Sequence, residues 1–444
     1  MSMPRPSFRA RLSAFIWRSL ARYGRFKYRR LLPLYRSLGL WSKRSRVTDV
    51  LSPVASLRRA QRLTDWLLRS SAARLNQQVE TIAARAALSH GTIIFLPSVG
   101  WHVVNTQRGH HLAREFARQG YTVIFDCSNS YDPVNGVQEI APNLFLFRGD
   151  PVALAALPPA ILWTLAYNFE YGKSFARPAL RVYDWIDDLS VFPYERGFLE
   201  AGHAQAMAEA ELILCVAHRL HAEAHATRPD AVYLPNAVDY GHFVGDQKPL
   251  PRDPQMAALA TGQKPVAGYV GALAEWFDYE LLDEVAARRP DWQFVLIGPA
   301  LDMSLRERGR RLLARANVAY LGPRPYADLP AYLRQFDVAM IPFVINDITQ
   351  ATSPLKLYEY WAAGKPVLTT PLPECRAFAE VTLAADPAEF ASALDEARRL
   401  ADDAQYRERL RQLAFQNSWT VRVTEVAGLL KAHMNPGKIE EGRR

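Results

Sequence analysis

Lys356 and Glu359 stand three residues apart in the stretch SPLKLYEYWAAGKPVLTTPLPE, residues 353–374. Thr352 or Ser353 is placed to cap a helix there, Pro354 suits its first turn, and Gly364 ends it ahead of a buried strand, KPVLTT. The free N–H groups of a helix start attract anions, and a lysine adds a full positive charge. Side chains three apart share one helix face. A cation for a diphosphate beside a carboxylate for two ribose hydroxyls is what a nucleotide-sugar site needs. The plainer reading is a structural helix whose Lys–Glu pair is a solvated ion pair.

A second group of chemistry-bearing residues lies in VYDWIDDLS, which sets Asp184, Asp187 and Asp188 at a strand end. Three carboxylates this close repel one another unless they meet water, a cation or a polyhydroxyl ligand. Strand alternation sends Asp184 and Asp187 to opposite faces. The bland alternative is that Asp188 caps the next helix while the others are solvated.

The chain that positions these groups has 444 residues, enough for two or three domains, with 49% hydrophobic and 22% charged residues. From Gly91 onward, short apolar runs alternate with helical segments: GTIIFLP, YTVIFD, NLFLFRG, AILWTLAY, LRVYDWID and AELILCVA, closed by AVYLPNAVD. After a polar, Pro-rich stretch over residues 241–264 the alternation restarts with VAGYVG, WQFVLIG, VAYLG, VAMIPF and PVLTT. The pattern predicts an α/β chain of two Rossmann-like, doubly wound domains facing a cleft, over residues 91–245 and 265–415. RERGRRLLARA reads as one helix of the second domain. Residues 416–444 read as a C-terminal helix and tail.

The net charge of +9 is concentrated in one place. Residues 1–46 hold 13 Lys or Arg and no acid, leaving 41 basic and 45 acidic groups in the remainder, a balance of −4. Phe8, Leu12, Phe15, Ile16, Leu20, Tyr23 and Phe26 recur at helical spacing among these bases. That is a basic amphipathic helix suited to an anionic membrane surface. A nucleic-acid arm, a transit peptide and a helix docked on its own domain are the competing readings. Residues 1–90 are expected to form a basic helical extension, helical over residues 50–88. Cys127, Cys215 and Cys375 follow no metal spacing and read as buried thiols in a reducing compartment. No apolar run reaches 18 residues and no secretory core follows the basic start. The expectation is a cytoplasmic protein at the inner membrane face, with no nucleic-acid partner.

In order and spacing, YVGALAEWFDYELL, NVAYLGPRPYADLPAYL, DVAMIPF and SPLKLYEYWAAGKPVLTTPLPE resemble the family-four glycosyltransferases of the GT-B fold, of the type that builds bacterial surface polysaccharides. QRGHHLAREFARQG, VYDWIDDLS and YLPNAVD add to the resemblance, which spans residues 91–433. It implies transfer of a sugar from a nucleotide diphosphate sugar to a lipid-linked or polysaccharide hydroxyl, with the anomeric configuration retained; in an inverting course Asp187 is the natural base. No paired acidic motif for a metal stands out, so neither metal nor other cofactor is expected. It implies that Gly271 admits the diphosphate, that Gly322, Pro323 and Arg324 lie beside the nucleobase, and that Thr352, Ser353, Leu355 and Lys356 face the phosphates while Glu359 holds the ribose. Asp187 falls near a histidine that many relatives place beside the reacting sugar, and Asp187 and Lys356 are the expected catalytic pair. Trp101, Gln107 and Arg108, in the loop after the first strand, are the expected acceptor contacts: Trp101 to stack on a sugar ring, Arg108 to meet an acceptor phosphate. Two departures stand out. Many relatives carry a first glutamate eight positions before Glu359, where this chain has Ala351, leaving Asp347 or Gln350 as substitutes. The loop GALAEWFD offers no cation for the diphosphate. An isomerising or hydrolysing enzyme of the same fold, and a non-catalytic partner in polysaccharide assembly, are the alternatives.

Overall fold

Among the described residues fourteen short strands, most of them apolar on both sides, organise the protein. The computed structural model describes residues 58–103, 106–128, 130, 132–172, 178–244, 253–256, 262 and 264–434. The basic segment over residues 1–46 lies outside these, and with it the reading of a membrane-surface helix.

Helix α1 (Arg58–Ala86) precedes the first sheet. That sheet holds β1 (Thr92–Phe95), β2 (Thr122–Asp126), β3 (Gly136–Ala141), β4 (Leu144–Arg148), β5 (Ala160–Thr164), β6 (Leu180–Trp185), β7 (Leu212–Cys215) and β8 (Val232–Tyr233). Their order is β3-β4-β2-β1-β5-β6-β7-β8, parallel except for β3, which runs antiparallel to β4. The longer helices of this domain are α2 (Arg108–Arg118), α3 (Arg196–Glu209) and α4 (His218–His225). Alternate strand residues enter two different cores. Ile93, Val123, Ile161 and Val182 join the cluster that packs under α2, whereas Ile94, Ile124 and Leu162 meet Leu75, Val79 and Ile82 of α1. Both faces are covered, which is why the strands read as continuous apolar runs.

The second sheet has the order β11-β10-β9-β12-β13-β14, all parallel. It is built from β9 (Val266–Val270), β10 (Gln293–Ile297), β11 (Val318–Gly322), β12 (Val338–Ile341), β13 (Val367–Thr369) and β14 (Val381–Leu383). Its longer helices are α5 (Tyr279–Arg288), α6 (Leu355–Ala362), α7 (Pro387–Asp402) and α8 (Ala404–Gln416). Asp278 caps α5 by accepting from the Leu281 N–H at 2.9 Å. The order of each sheet reverses once, between β1 and β5 and between β9 and β12, the arrangement of doubly wound sheets.

Three features depart from the sequence reading. β3 and β14 are not among the strands predicted from the sequence, because GVQEIA is polar and half-exposed and VTL is only three residues long. RERGRRLLARA is not one helix: Ser304–Glu307 and Arg310–Leu313 are separate turns. At the break a methyl on Gly309 would come 2.6 Å from the Leu305 carbonyl oxygen.

The last helix, α9 (Trp419–Met434), leaves the second domain and packs on the first. Trp419, Val423, Val426, Ala427 and Leu430 enter the cluster beneath α2. The chain therefore crosses between domains twice, and the crossings run side by side: Val238 N–H donates to Asn417 O at 3.0 Å, and Trp419 N–H donates to Val238 O at 3.0 Å. A third tie is the buried Glu374 carboxylate, which accepts from His218 N–H at 2.6 Å and from Tyr233 Oη at 2.5 Å. Leu430 is fully buried far along the sequence from the domain it completes. Leu430→Ala should cost about 3 kcal/mol of stability, within the range for buried Leu→Ala changes, read as a lowered urea midpoint.

Candidate functional site

Helix α6 begins just past the switch point of the second sheet, where open α/β folds hold their ligands. Its placement rests on Tyr360. The Tyr360 hydroxyl accepts from Val270 N–H at 2.8 Å and donates to Val270 O at 3.2 Å, pinning the helix to the end of β9. The far end is closed by Gly364 at φ 67°, with Lys365 N–H donating to Tyr360 O and Gly364 N–H to Trp361 O, a Schellman pairing.

The start of the helix differs from expectation. Neither Thr352 nor Ser353 caps it. Pro354 occupies the cap position and the helix begins at Leu355, with no side-chain cap. Thr352 Oγ1 donates back to Ile348 O at 2.9 Å. Ser353 instead receives the other domain: its hydroxyl and carbonyl oxygens accept from Asn236 N–H at 3.2 Å and Asn236 Nδ2 at 2.7 Å. The first-turn N–H groups of α6 thus keep no side-chain acceptor, and the helix dipole adds its positive end.

Lys356 crosses directly over Gly271. A methyl at Gly271 would lie 1.9 Å from Lys356 Cε and 2.7 Å from Nζ, and Gly271 has φ 153°. The ammonium sits 5.3 Å from the Phe343 ring centre and 5.5 Å from that of Tyr269. Gly271 is held from behind as well, since a methyl on Gly298 would strike its carbonyl oxygen at 1.9 Å. Neither the Lys356 nor the Glu359 side chain forms a hydrogen bond or an ion pair with any described residue. The solvated-pair reading therefore fails: the two charges share a half-buried face and stay apart. Burial lowers the Lys356 pKa, with Glu359 opposing. Burial pushes the Glu359 carboxyl up to about 7, Lys356 pulls it back and Asp239 pushes it further.

Gly322, at φ 72°, turns the chain after β11 into Pro323 and Arg324. The Arg324 guanidinium is engaged inward. It donates to Asp253 Oδ2 at 2.7 Å, to the Tyr332 hydroxyl at 3.0 Å and to the Leu321 carbonyl. Leu355, on the first turn of α6, packs against the first-domain core.

On the other wall, Arg108 is not available to an acceptor phosphate. It is buried, donating from Nε to both oxygens of Asp184 at 2.9 and 3.1 Å, and from a terminal nitrogen to Pro235 O and Asn236 Oδ1. Trp163 Nε1 donates to the same Asp184 at 3.0 Å. Asp184 is thus a structural acceptor. Asp188 does cap the turn Leu189–Val191, accepting from Ser190 N–H at 3.0 Å, and it lies 3.6 Å from Arg219. Asp187 remains: its carboxyl has no hydrogen-bond partner among the described residues. Burial, then Asp188, push it up to about 7, with Arg108 opposing. Gln107 precedes α2 and is exposed, its N–H donating to His110 Nδ1 at 3.1 Å. Trp101 does not offer an open ring, for Arg114 lies 4.8 Å over it and Phe125 meets it edge-on at 5.0 Å.

Ala351 is fully buried in a cluster that includes Tyr183, Trp185 and Val216, so the first domain fills the space at that position. Asp347 is exposed, its carbonyl accepting from Arg219 at 2.6 Å. Sequence reasoning missed Asp239, which acts on Glu359, and the stripe His111, Arg114, Arg118 on α2. The spacing of three and four within QRGHHLAREFARQG was the available signal. Among the described residues no cluster of His, Cys, Asp and Glu has metal-ligating form, and no helix is long and apolar enough to cross a membrane.

Two changes test this geometry. Gly271→Ala should displace Lys356 and lower the urea midpoint, because the methyl cannot share the space of the lysine chain. Glu359 titrates near 7 in the fold against an ordinary value of 4.5, so its contribution to stability falls as pH rises through that window. Glu359→Gln should therefore raise the melting temperature at pH 8 and leave it unchanged at pH 4.

Residues 264–399 match the family model described as Glycosyl transferases group 1. Over 238 residues, 51% of this chain, the sequence is 28% identical to TuaH of Bacillus subtilis (strain 168), a protein named as a teichuronic acid biosynthesis glycosyltransferase. The match spans 58% of that relative's length. Among solved structures, Anabaena Alr3699/HepE in complex with UDP and glucose superposes with a TM-score of 0.57 at 14% identity, over 77% of this chain and 99% of that one. WaaG, a glycosyltransferase involved in lipopolysaccharide biosynthesis, gives 0.55 at 15% identity, over 76% and 99%. The chain has the two-domain GT-B fold, and its second domain carries the sequence signature of the group 1 glycosyltransferases.

Proposed function

We propose that this protein transfers a sugar from a nucleotide diphosphate sugar to a hydroxyl acceptor during assembly of a surface polysaccharide. One observation carries the reading: an ammonium and a carboxylate, both unpartnered, share the open first turns of α6 beside a glycine that leaves no room for a side chain. Lys356 and the free N–H groups of α6 bind the diphosphate, Gly271 lets the phosphates approach the backbone, and Glu359 accepts from the ribose hydroxyls. The backbone at Gly322, Pro323 and Arg324 borders the base. The complexes of HepE with UDP and with UDP-glucose support a uridine diphosphate donor.

The slow event is cleavage of the bond between the anomeric carbon and the diphosphate oxygen, which leaves with the electron pair. Charge develops on that oxygen, and Lys356 and the helix start meet it without reorganising. The acceptor oxygen then bonds the anomeric carbon. In a retaining course its proton passes to the departing phosphate oxygen, so no strong side-chain base is needed. Asp187, held near neutrality, lies on the acceptor wall to orient the incoming hydroxyl. The reaction is proposed to run without a metal ion, the cationic role falling to Lys356. The acceptor is proposed to be lipid-linked or a growing polysaccharide at the cytoplasmic membrane face, with the basic residues 1–46 drawing the protein to anionic lipid.

Lys356→Ala should weaken UDP binding at least tenfold and reduce transfer by about 10²- to 10³-fold, the loss seen when one charge-stabilising donor is removed. Calorimetry with UDP and a radiolabelled-donor transfer assay read the two effects. UDP binding unchanged by Lys356→Ala would overturn the reading. UDP binding lost by that variant, without sugar transfer by the parent chain, would instead support a non-catalytic partner. Nucleotide release independent of acceptor would mark a hydrolase.

A further inference from the structure

α2 presents His111, Arg114 and Arg118 toward the two interdomain crossings, where with Asp239, His242 and Trp419 they line a cavity of about 480 Å³. That size falls in the range of small-molecule pockets. The lining is chemically unfinished. Arg114 is half-buried, rests its planar group on Trp101, and makes no hydrogen bond or ion pair with a described residue. Asp239 and the Tyr326 hydroxyl influence it without contact. His111 is 4% exposed and stacked flat on Trp419, with ring centres 5.3 Å apart and planes 9° from parallel. Its Nε2 has no hydrogen-bond partner, and neither has the buried Tyr326 hydroxyl. Arg118 is tied to Glu115 at 3.2 Å.

A desolvated guanidinium without a carboxylate is costly to maintain, and so is a buried ring nitrogen without a partner. Both are relieved by a ligand that brings one anionic group and several hydroxyls. The guanidinium fork fits a carboxylate or a phosphate. The Asp239 carboxylate accepts hydroxyls. Tyr326, two residues beyond Arg324, stacks on His242 with ring centres 4.5 Å apart and meets His111 at 5.8 Å, which joins this cavity to the loop after β11.

We infer that this cavity binds the anionic group of a saccharide, a uronate carboxylate or a sugar phosphate, and that the acceptor of the transfer is acidic. The word acceptor rests on the transferase reading above; the binding of an acidic saccharide does not. Arg114 supplies the charge recognition, while His111 Nε2 and Asp239 take neighbouring hydroxyls. The full chain, saturated with UDP, should be titrated calorimetrically with glucuronate, glucose 6-phosphate and glucose. At least one acidic sugar should bind about tenfold or more tightly than glucose, and Arg114→Gln should remove that preference while leaving UDP affinity unchanged. The stronger of the two acids identifies the group. His111→Ala, which leaves the guanidinium in place, should weaken binding of the acid without removing its advantage over glucose. Equal affinity for glucose, no binding of either acid at tens of millimolar, displacement of the acid by UDP, or an Arg114→Gln chain that binds as the parent does would each overturn the inference. UDP binding in the same titrations, and its loss in Lys356→Ala, reports separately on the transferase reading.

Discussion

A lysine side chain lying across a glycine is the contact on which this site depends. The space between Lys356 and Gly271 will not hold a methyl group, so the loop after β9 and the start of α6 are fixed against each other. Tyr360 sets the height of the helix from the other side by bonding both backbone groups of Val270. With those two contacts in place, Lys356 and Glu359 have one face available and no partner to neutralise either. A charge left half-buried and unpaired lowers stability, and a fold retains such a group where a ligand completes it.

The first domain is coupled to that helix by a polar relay. Asp184 at the end of β6 holds Arg108, Arg108 reaches Asn236, and Asn236 grips Ser353 by two hydrogen bonds. The ion pair is almost fully buried, at 5% and 2% side-chain exposure. Breaking one half of such a pair leaves the other charge stranded in a dry site, which makes the relay a rigid strut. It also sorts the three aspartates. Asp184 supports, Asp188 caps, and Asp187 keeps an unengaged carboxyl.

Much of this was legible in the sequence for a physical reason. Parallel strands covered on both faces must be apolar throughout, so most of the strands were visible as continuous blocks. The edge strand β3 was not, because GVQEIA is partly wet and carries no such block. Lys356 and Glu359 were legible because helix spacing is local. The fate of Arg108 was not, because its partner lies 76 residues away in sequence and only the sheet register brings them together. Thr352 and Ser353 looked like caps by type, yet Ser353 is claimed by Asn236, a competition across domains that no local rule contains.

The paired crossings at Val238 and Ser418 have a mechanical meaning. Two chain segments bonded edge to edge form a flat leaf, stiff against sliding or twisting but pliable about the line that joins them. With the Asn236–Ser353 and Glu374 bonds, these crossings hold the two domains together at several points. The α2 face with Arg114 and the Trp419 end of α9 sit beside these crossings, so a molecule lodged between them bears on the segments that join both domains.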